Sequence, residues 1–282
     1  MKSIALCPNA QRDPGQKVTE QITLMARDLG FSASVYPIFD KAPDSATLVA
    51  ARERALREAE LIIALGGDGT MLRTARLAID TGVPVLGVNM GGKGFLAELE
   101  LSQLDMLPQI LSGGFEREER LTLDVELVRE GKVMVRDIAI NDVVVSGGGK
   151  VIDLTIFGDG HRISRFSGDG VIVATPTGST AYSMAAGGPI VEPTAQNILV
   201  TPICAHVLEA KPYVLVSDRQ VTVEVGFKKR NASYMTVDGD DMFKVLHGDN
   251  LKISKSVKTA CFAHIPNTNF YKRVSEKLGD TM

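Results

Sequence analysis

The stretch Leu61-Ile62-Ile63-Ala64-Leu65-Gly66-Gly67-Asp68-Gly69-Thr70-Met71-Leu72 decides the fold. The apolar run 61–65 is strand-length and has no polar face, as a strand buried on both sides requires. It runs straight into a glycine cluster and then into helix-forming residues. A buried strand that turns into a helix is the junction of a parallel sheet, and ligands bind beyond the carboxyl ends of such strands.

Working outward, Ser3–Cys7, Phe31–Phe39 and Val83–Val88 read as further strands. Gln16–Leu29 places Val18, Ile22, Met25 and Leu29 on one helical face, and Ser45–Ala59 is a second helix with charged faces. A third helix is expected from an N-cap at Ser102 to Leu111, closed by Gly113-Gly114. This alternation predicts a parallel sheet covered by helices. After about residue 117 the period changes to two: Leu121, Leu123, Val125 and Leu127 alternate with polar neighbours, as do Val221, Val223 and Val225, and later Val245, Leu251 and Ile253. Turn signals at Glu130-Gly131, Gly158-Asp159-Gly160 and His247-Gly248-Asp249 separate these runs, as in antiparallel sheets. The domain boundary falls near residues 112–118, and Phe270–Leu278 reads as a last short helix.

With 282 residues the chain has room for two domains. Its formal net charge is -3, without the basic surplus of a protein that grips nucleic acid through phosphates. Trp is absent and aromatics make up 5%, a poor composition for stacking bases. The three cysteines, Cys7, Cys204 and Cys261, are too few and too far apart for a disulfide framework or a CxxC metal site. No apolar run is long enough to span a membrane, and the N-terminal MKSIALCPNA lacks the form of a secretory signal, so the expected compartment is the cytoplasm.

Glycines at 66, 67 and 69 let backbone N–H groups approach phosphate oxygens, and the following helix offers the anion its positive end. A carboxylate in such a loop repels phosphate and needs a reason. Asp68 accepts a proton from a hydroxyl nucleophile or holds Mg2+; a strand-to-helix turn with a capping Asp accounts for the spacing equally well. The chain has no Walker A loop, and Leu72 stands where a dinucleotide fingerprint would have its third glycine.

A second block, Thr175-Pro176-Thr177-Gly178-Ser179-Thr180-Ala181-Tyr182-Ser183-Met184-Ala185-Ala186-Gly187-Gly188-Pro189, is dense in hydroxyls that can bond ribose, phosphate or amide groups, or serve a structural loop. Asn141-Asp142 sits between apolar β-like residues, where an acid can accept ribose hydroxyls or mark a turn. Val237-Asp238-Gly239-Asp240-Asp241 reads foremost as a hairpin turn. The four histidines show no metal-ligand spacing.

Together, GGDGT at 66–70, Asn141-Asp142, SGDG at 167–170 and TPTGSTAYSMAAGGPIVEP at 175–193 resemble the NAD kinases, in order and in strand context. GGDG alone also occurs in lipid and sugar kinases; the long block at 175–193 makes the resemblance specific. It implies a Rossmann-like α/β N-terminal domain (1–116), an all-β sandwich domain (117–258) and a C-terminal segment (259–282) that packs back on the first. It implies phosphorylation of the 2′-hydroxyl of the adenosine ribose of NAD, with Asp68 as proton acceptor. It assigns dinucleotide contacts to Asp68, Gly69, Arg73, Asn141, Asp142, Asp169, Thr177, Thr180, Ala181, Tyr182, Ser183, Met184, Ala185 and Asp240. The phosphate donor, ATP or polyphosphate with Mg2+ or another divalent cation, would lie against Gly66, Gly67, Gly69 and Thr70. Family members form homodimers or homotetramers. Two positions depart from the family pattern: Asp142 where Glu is common, and Ala185 where a serine is common. The competing readings are a GGDG kinase of a lipid or sugar and a non-catalytic NAD(P) sensor.

Overall fold

Strands β1 (Lys2–Pro8), β2 (Phe31–Val35), β3 (Leu61–Gly66) and β4 (Val85–Asn89) pair in parallel in the order β2-β1-β3-β4, and the short β5 (Leu99–Glu100) joins β4. This computed structural model describes residues 2–38, 46–92, 94–207, 210–226, 232–266 and 269–279, without the side chains of 46–48. Every residue of β3 is buried, as its unbroken apolar run requires. Helices α1 (Lys17–Asp28), α2 (Ala46–Glu58), α3 (Asp68–Ala78) and α4 (Leu107–Leu111) connect and cover the strands. Ile4, Leu6, Ile22, Leu61, Ile63 and Leu107 belong to one buried cluster.

Four details differ from the expectation. Of the expected α1 face, Ile22 is buried and Val18 and Met25 pack half-buried against the core, joined by buried Thr19 and Ala26, while Leu29, just past the helix end, is exposed. Ser102 caps nothing: Glu100 and Gln103 form a capping box, the Glu100 N–H donating to Gln103 Oε1 at 2.9 Å. The expected single helix is also split into a 3-10 stretch, Leu101–Met106, followed by α4, with Pro108 removing an N–H at the start of α4. The expected strand 31–39 ends at Val35 with a lone bridge between Ile38 and Asn9; Phe39 and Ser45 lie outside the described residues.

The later strands are β6 (Glu116–Arg129), β7 (Lys132–Ala139), β8 (Asp142–Ser146), β9 (Ile152–Gly158), β10 (His161–Gly168), β11 (Gly170–Ala174), β12 (Asn197–Ile203), β13 (Tyr213–Val216), β14 (Val221–Val225), β15 (Ser233–Val237), β16 (Phe243–Val245) and β17 (Asn250–His264). One antiparallel ladder runs β13-β12-β11-β8-β15-β16. A second runs β10-β9-β14-β17, with β6 on β17 and β7 on β6. Alternate residues of both, such as Val143, Val171 and Val173 from one and Leu123, Val223 and Leu251 from the other, share one core, the arrangement of a sandwich. Hairpins turn at Glu130-Gly131 (φ 48° and 77°), Asp159-Gly160 (49° and 78°) and Asp238-Gly239 (53° and 73°), the positive pair that a type I′ turn demands.

The chain is therefore α+β overall, with an α/β unit and an antiparallel β-sandwich unit. The first comprises residues up to Glu119 together with those from Ala260 onward; the second is Arg120–Thr259. Within the first unit the end of β17 adds a parallel partner to β4, Phe262 opposite Val85, and the helix α6 (Phe270–Leu278) follows, capped by Asn269.

Candidate functional site

In the first unit, strand order reverses between β1 and β3: the chain moves from β1 outward to β2, then returns to the other side of β1. Open α/β sheets bind ligands in the crevice at the carboxyl ends of the strands flanking such a switch. Here those ends carry Asn9 after β1 and Gly66-Gly67-Asp68 after β3. Asn9 N–H donates to Leu65 O, and its side chain donates to Thr70 Oγ1 at 3.3 Å. Gly67 is the N-cap of α3, so the amides of its first turn, Asp68 and Gly69 among them, point out of the helix end with its positive dipole.

The glycines divide their work. A Cβ on Gly66 would collide with the Thr70 side chain, so this glycine serves packing. A Cβ on Gly67 would meet nothing within 4 Å, which leaves the backbone open to a close ligand. Gly69 is exposed on the first turn of α3, Arg73 is exposed one turn later, and Thr70 is buried.

Asp68 is half-buried and held by two amides: Phe95 N–H donates to Oδ2 at 2.8 Å and Leu96 N–H to Oδ1 at 3.0 Å. The approach is tight, since a Cβ on Gly94 would lie 2.7 Å from Asp68 Oδ1. Each carboxylate oxygen keeps lone-pair capacity for another donor. Sequence reasoning missed this strap, although 85–94 repeats the signature of a buried strand running into glycines, here Gly91, Gly92 and Gly94. Asn89, at the end of β4 and paired with Gly66, was missed too: its side-chain N–H donates to Gly92 O and Glu100, and its buried Oδ1 has no partner among the described residues.

In the second unit, Asn141, Asp142, Val144, Ala181, Tyr182 and Asp238 are among the residues lining a cleft of about 420 Å3. Its organiser lies in the segment that the sequence read as a hairpin turn. Asp238, in the type I′ turn, accepts the backbone N–H of Ile140 at 2.9 Å, Asn141 at 2.7 Å and Asp142 at 3.1 Å. Asp240, nominated for contact with the dinucleotide, closes that same turn by donating its N–H to Val237 O. Asp142 is 5% exposed. Burial, with the Asp238 charge beside it, pushes its carboxyl up from 3.8 to about 7. Asn141 Oδ1 and Thr177 Oγ1 are buried without a partner among the described residues, two polar groups that a ligand can satisfy.

The hydroxyl-rich block splits as well. Thr175 donates to Ile140 O at 2.6 Å and accepts from Gly178 N. Ser179 both donates to and accepts from the backbone of Val191. Ser183, which was assigned a dinucleotide contact, is fully buried with its hydroxyl paired to Thr201 Oγ1 at 2.9 Å, so its side chain is engaged internally. Thr180 Oγ1 reaches back to Thr177 O. Ala181 and Tyr182 line the cleft, with Met184 and Ala185 next along the short turn of helix, α5 (Tyr182–Ala185). Asp169 stands apart from this group: it is exposed and precedes β11, whose far end, Ala174, pairs with Asp142 roughly 16 Å of strand away.

Among the described residues no group of three or more His, Cys, Asp or Glu side chains could hold a metal ion, and no helix is long and apolar enough to cross a membrane. Two family models match the chain, the ATP-NAD kinase N-terminal domain at residues 11–115 and the ATP-NAD kinase C-terminal domain at residues 140–265. An NAD kinase of Ruminiclostridium cellulolyticum is 38% identical, covering 99% of this chain and 98% of its own. One of Symbiobacterium thermophilum is 35% identical over the whole of both chains. The fold is shared with a crystal structure of a yeast NADH kinase complexed with NADH, at TM-score 0.83 and 23% identity, covering 100% of this chain and 88% of that one.

Proposed function

The chain belongs to the NAD kinase family and is a phosphotransferase acting on NAD, and from that premise we propose that it moves the terminal phosphoryl group of ATP to the 2′-hydroxyl of the adenosine ribose of NAD, with Asp68 as general base. The observation that carries this reading is the seating of Asp68: one carboxylate at the head of α3, beyond the switch-point strand, fixed by the amides of Phe95 and Leu96. The ribose hydroxyl gives its proton to Asp68 as its oxygen bonds to the terminal phosphorus, and the bond from that phosphorus to the bridging oxygen breaks to release ADP. The first-turn amides of α3 and the open backbone at Gly67 receive phosphate oxygens. Asn141, Asp142 and the buried Oγ1 of Thr177 bind the dinucleotide.

Mg2+ would arrive with the phosphate donor. The described residues do not amount to a protein-built site for it, and this ion is commonly held by substrate phosphates with one or two carboxylates. Assembly of identical subunits is supported by β13, an edge strand of its ladder that exposes Val214 and Val216; light scattering in solution tests it. A cytoplasmic setting is supported by the exposed, unpaired thiol of Cys204.

Asp68→Asn should keep the far-UV circular dichroism of the parent and lower kcat for NADP formation at least ~100-fold. Turnover close to that of the parent in the folded variant removes the assigned role. Running ATP and polyphosphate in parallel, each with NAD and with NADH, fixes donor and acceptor. Binding of NAD without turnover by the parent protein would point instead to a sensor.

A further inference from the structure

We propose that Arg273, on the C-terminal helix α6, is a positioning residue for the catalytic carboxylate, acting through the backbone strap Gly94–Leu96. This rests on the reading of Asp68 as the base. The same residue whose N–H holds Asp68 Oδ2, Phe95, has its carbonyl held by Arg273 Nη1 at 3.0 Å. The other arm of that guanidinium donates to Glu98 Oε1 at 2.8 Å. The pair is largely shielded from solvent, with side chains 16% and 4% exposed for Arg273 and Glu98. Glu98 is itself fixed from its other oxygen, by Ile265 N–H at 3.4 Å and by His264 Nδ1 at 3.5 Å. A continuous line of bonds therefore runs from α6 through the guanidinium fork and the Phe95 peptide units to the carboxylate.

The strap needs such an anchor. Gly94 leaves no room between itself and Asp68 Oδ1, and glycine supplies no side chain to hold the segment from within. Arg suits the task because its planar fork serves two acceptors at fixed geometry, which a lysine ammonium does not reproduce. A displacement of the strap of about 1 Å moves both acceptor bonds of Asp68 at once, and misplacement on that scale costs roughly 100-fold in rate. The bland account is that Arg273 merely docks α6. That helix has a second tether, Lys277 Nζ to Glu100 Oε1 at 3.1 Å, which touches neither Asp68 nor the strap and so serves as the control.

The test uses the full-length enzyme with ATP, Mg2+ and NAD. Arg273→Lys keeps the charge beside Glu98 but gives up the fork; kcat should fall by roughly 10- to 100-fold, with KM for NAD within about twofold of the parent. Arg273→Met with Glu98→Gln removes both paired charges together, leaves neither orphaned, and should show the same fall. Lys277→Ala should leave kcat within about twofold. Added to Asp68→Asn, Arg273→Lys should cost nothing further, because residues acting through one group are not additive. Hydrogen exchange at the Phe95 and Leu96 amides should quicken in Arg273→Lys and stay unchanged in Lys277→Ala. An unchanged kcat in Arg273→Lys, an equal loss in Lys277→Ala, or a full multiplicative loss on top of Asp68→Asn each overturns the proposal while the base assignment stands. Near-normal turnover of Asp68→Asn overturns the base assignment itself, and the exchange rates then report the strap alone.

Discussion

Replacing Asp142 by Asn should make the protein more stable, and increasingly so as the pH rises. In the folded chain burial, assisted by the neighbouring Asp238 charge, lifts the Asp142 carboxyl from 3.8 to about 7. Between those values the unfolded chain has released the proton and the folded chain still holds it, so stability falls as pH rises. Nothing is lost below the unfolded value, and the full penalty applies above the folded one. At 1.36 kcal/mol per pH unit, the wild type forfeits about 2 kcal/mol near pH 5 and about 4 kcal/mol near pH 8. The amide of Asn does not ionise, so the variant escapes both amounts. Urea denaturation followed by circular dichroism, with parent and variant compared at the two pH values, reads the difference directly. Any fixed effect of the new amide cancels between the two pH values, leaving a gap that widens by roughly 2–3 kcal/mol. A gap that stays constant, or a variant that loses ground at the higher pH, refutes the account of Asp142 as a buried acid held near neutrality.

Asp238→Asn removes the carboxylate that gathers three backbone amides; it should cost about 1–3 kcal/mol in urea denaturation and raise KM for NAD by loosening residues 140–142. Gly178→Ala would put a methyl group 2.6 Å from the carbonyl carbon and 2.8 Å from the Cα of Asn141, backbone that cannot give way. A loss of roughly 2–4 kcal/mol by the same measurement is expected, and a neutral result would mean that the contact is absent. Ser183→Ala should lower the melting temperature slightly by stranding Thr201, yet move KM for NAD less than about twofold; a large rise in KM would show that the hydroxyl serves ligand after all.

Local patterns carried the fold well. The polarity-free run at 61–65 had to be a strand with two covered faces, and Glu130-Gly131 and Asp159-Gly160 had to be tight turns, because each is decided by a few adjacent residues. The two-fold period after residue 117 likewise became ladders, with alternate residues buried along β14 and along β6 from Leu123 onward. The site was legible only as a set of segments. Nothing near Asp238 in the chain tells that its carboxylate will collect amides almost 100 residues earlier, and choosing Asp240 from the same turn amounted to choosing between neighbouring acids without the partner in view. Ser183 and Ser179 look like their neighbours in the hydroxyl-rich block; what separates them is Thr201 and the backbone of Val191. Leu29 fits the apolar face of α1 by spacing, but the helix ends before it.

The first unit is assembled from both ends of the polypeptide, while the second is one uninterrupted stretch, Arg120–Thr259. During translation the middle of the protein is available for folding before the partner of β4 at Phe262 has left the ribosome. Strands β1 to β4 all lie within residues 2–89 and can pair early, but the fork that holds the Phe95 carbonyl comes from Arg273 and is made long after them. A product cut off between Thr259 and Arg273 therefore holds every residue of the second unit and lacks the guanidinium that anchors the strap beside Asp68.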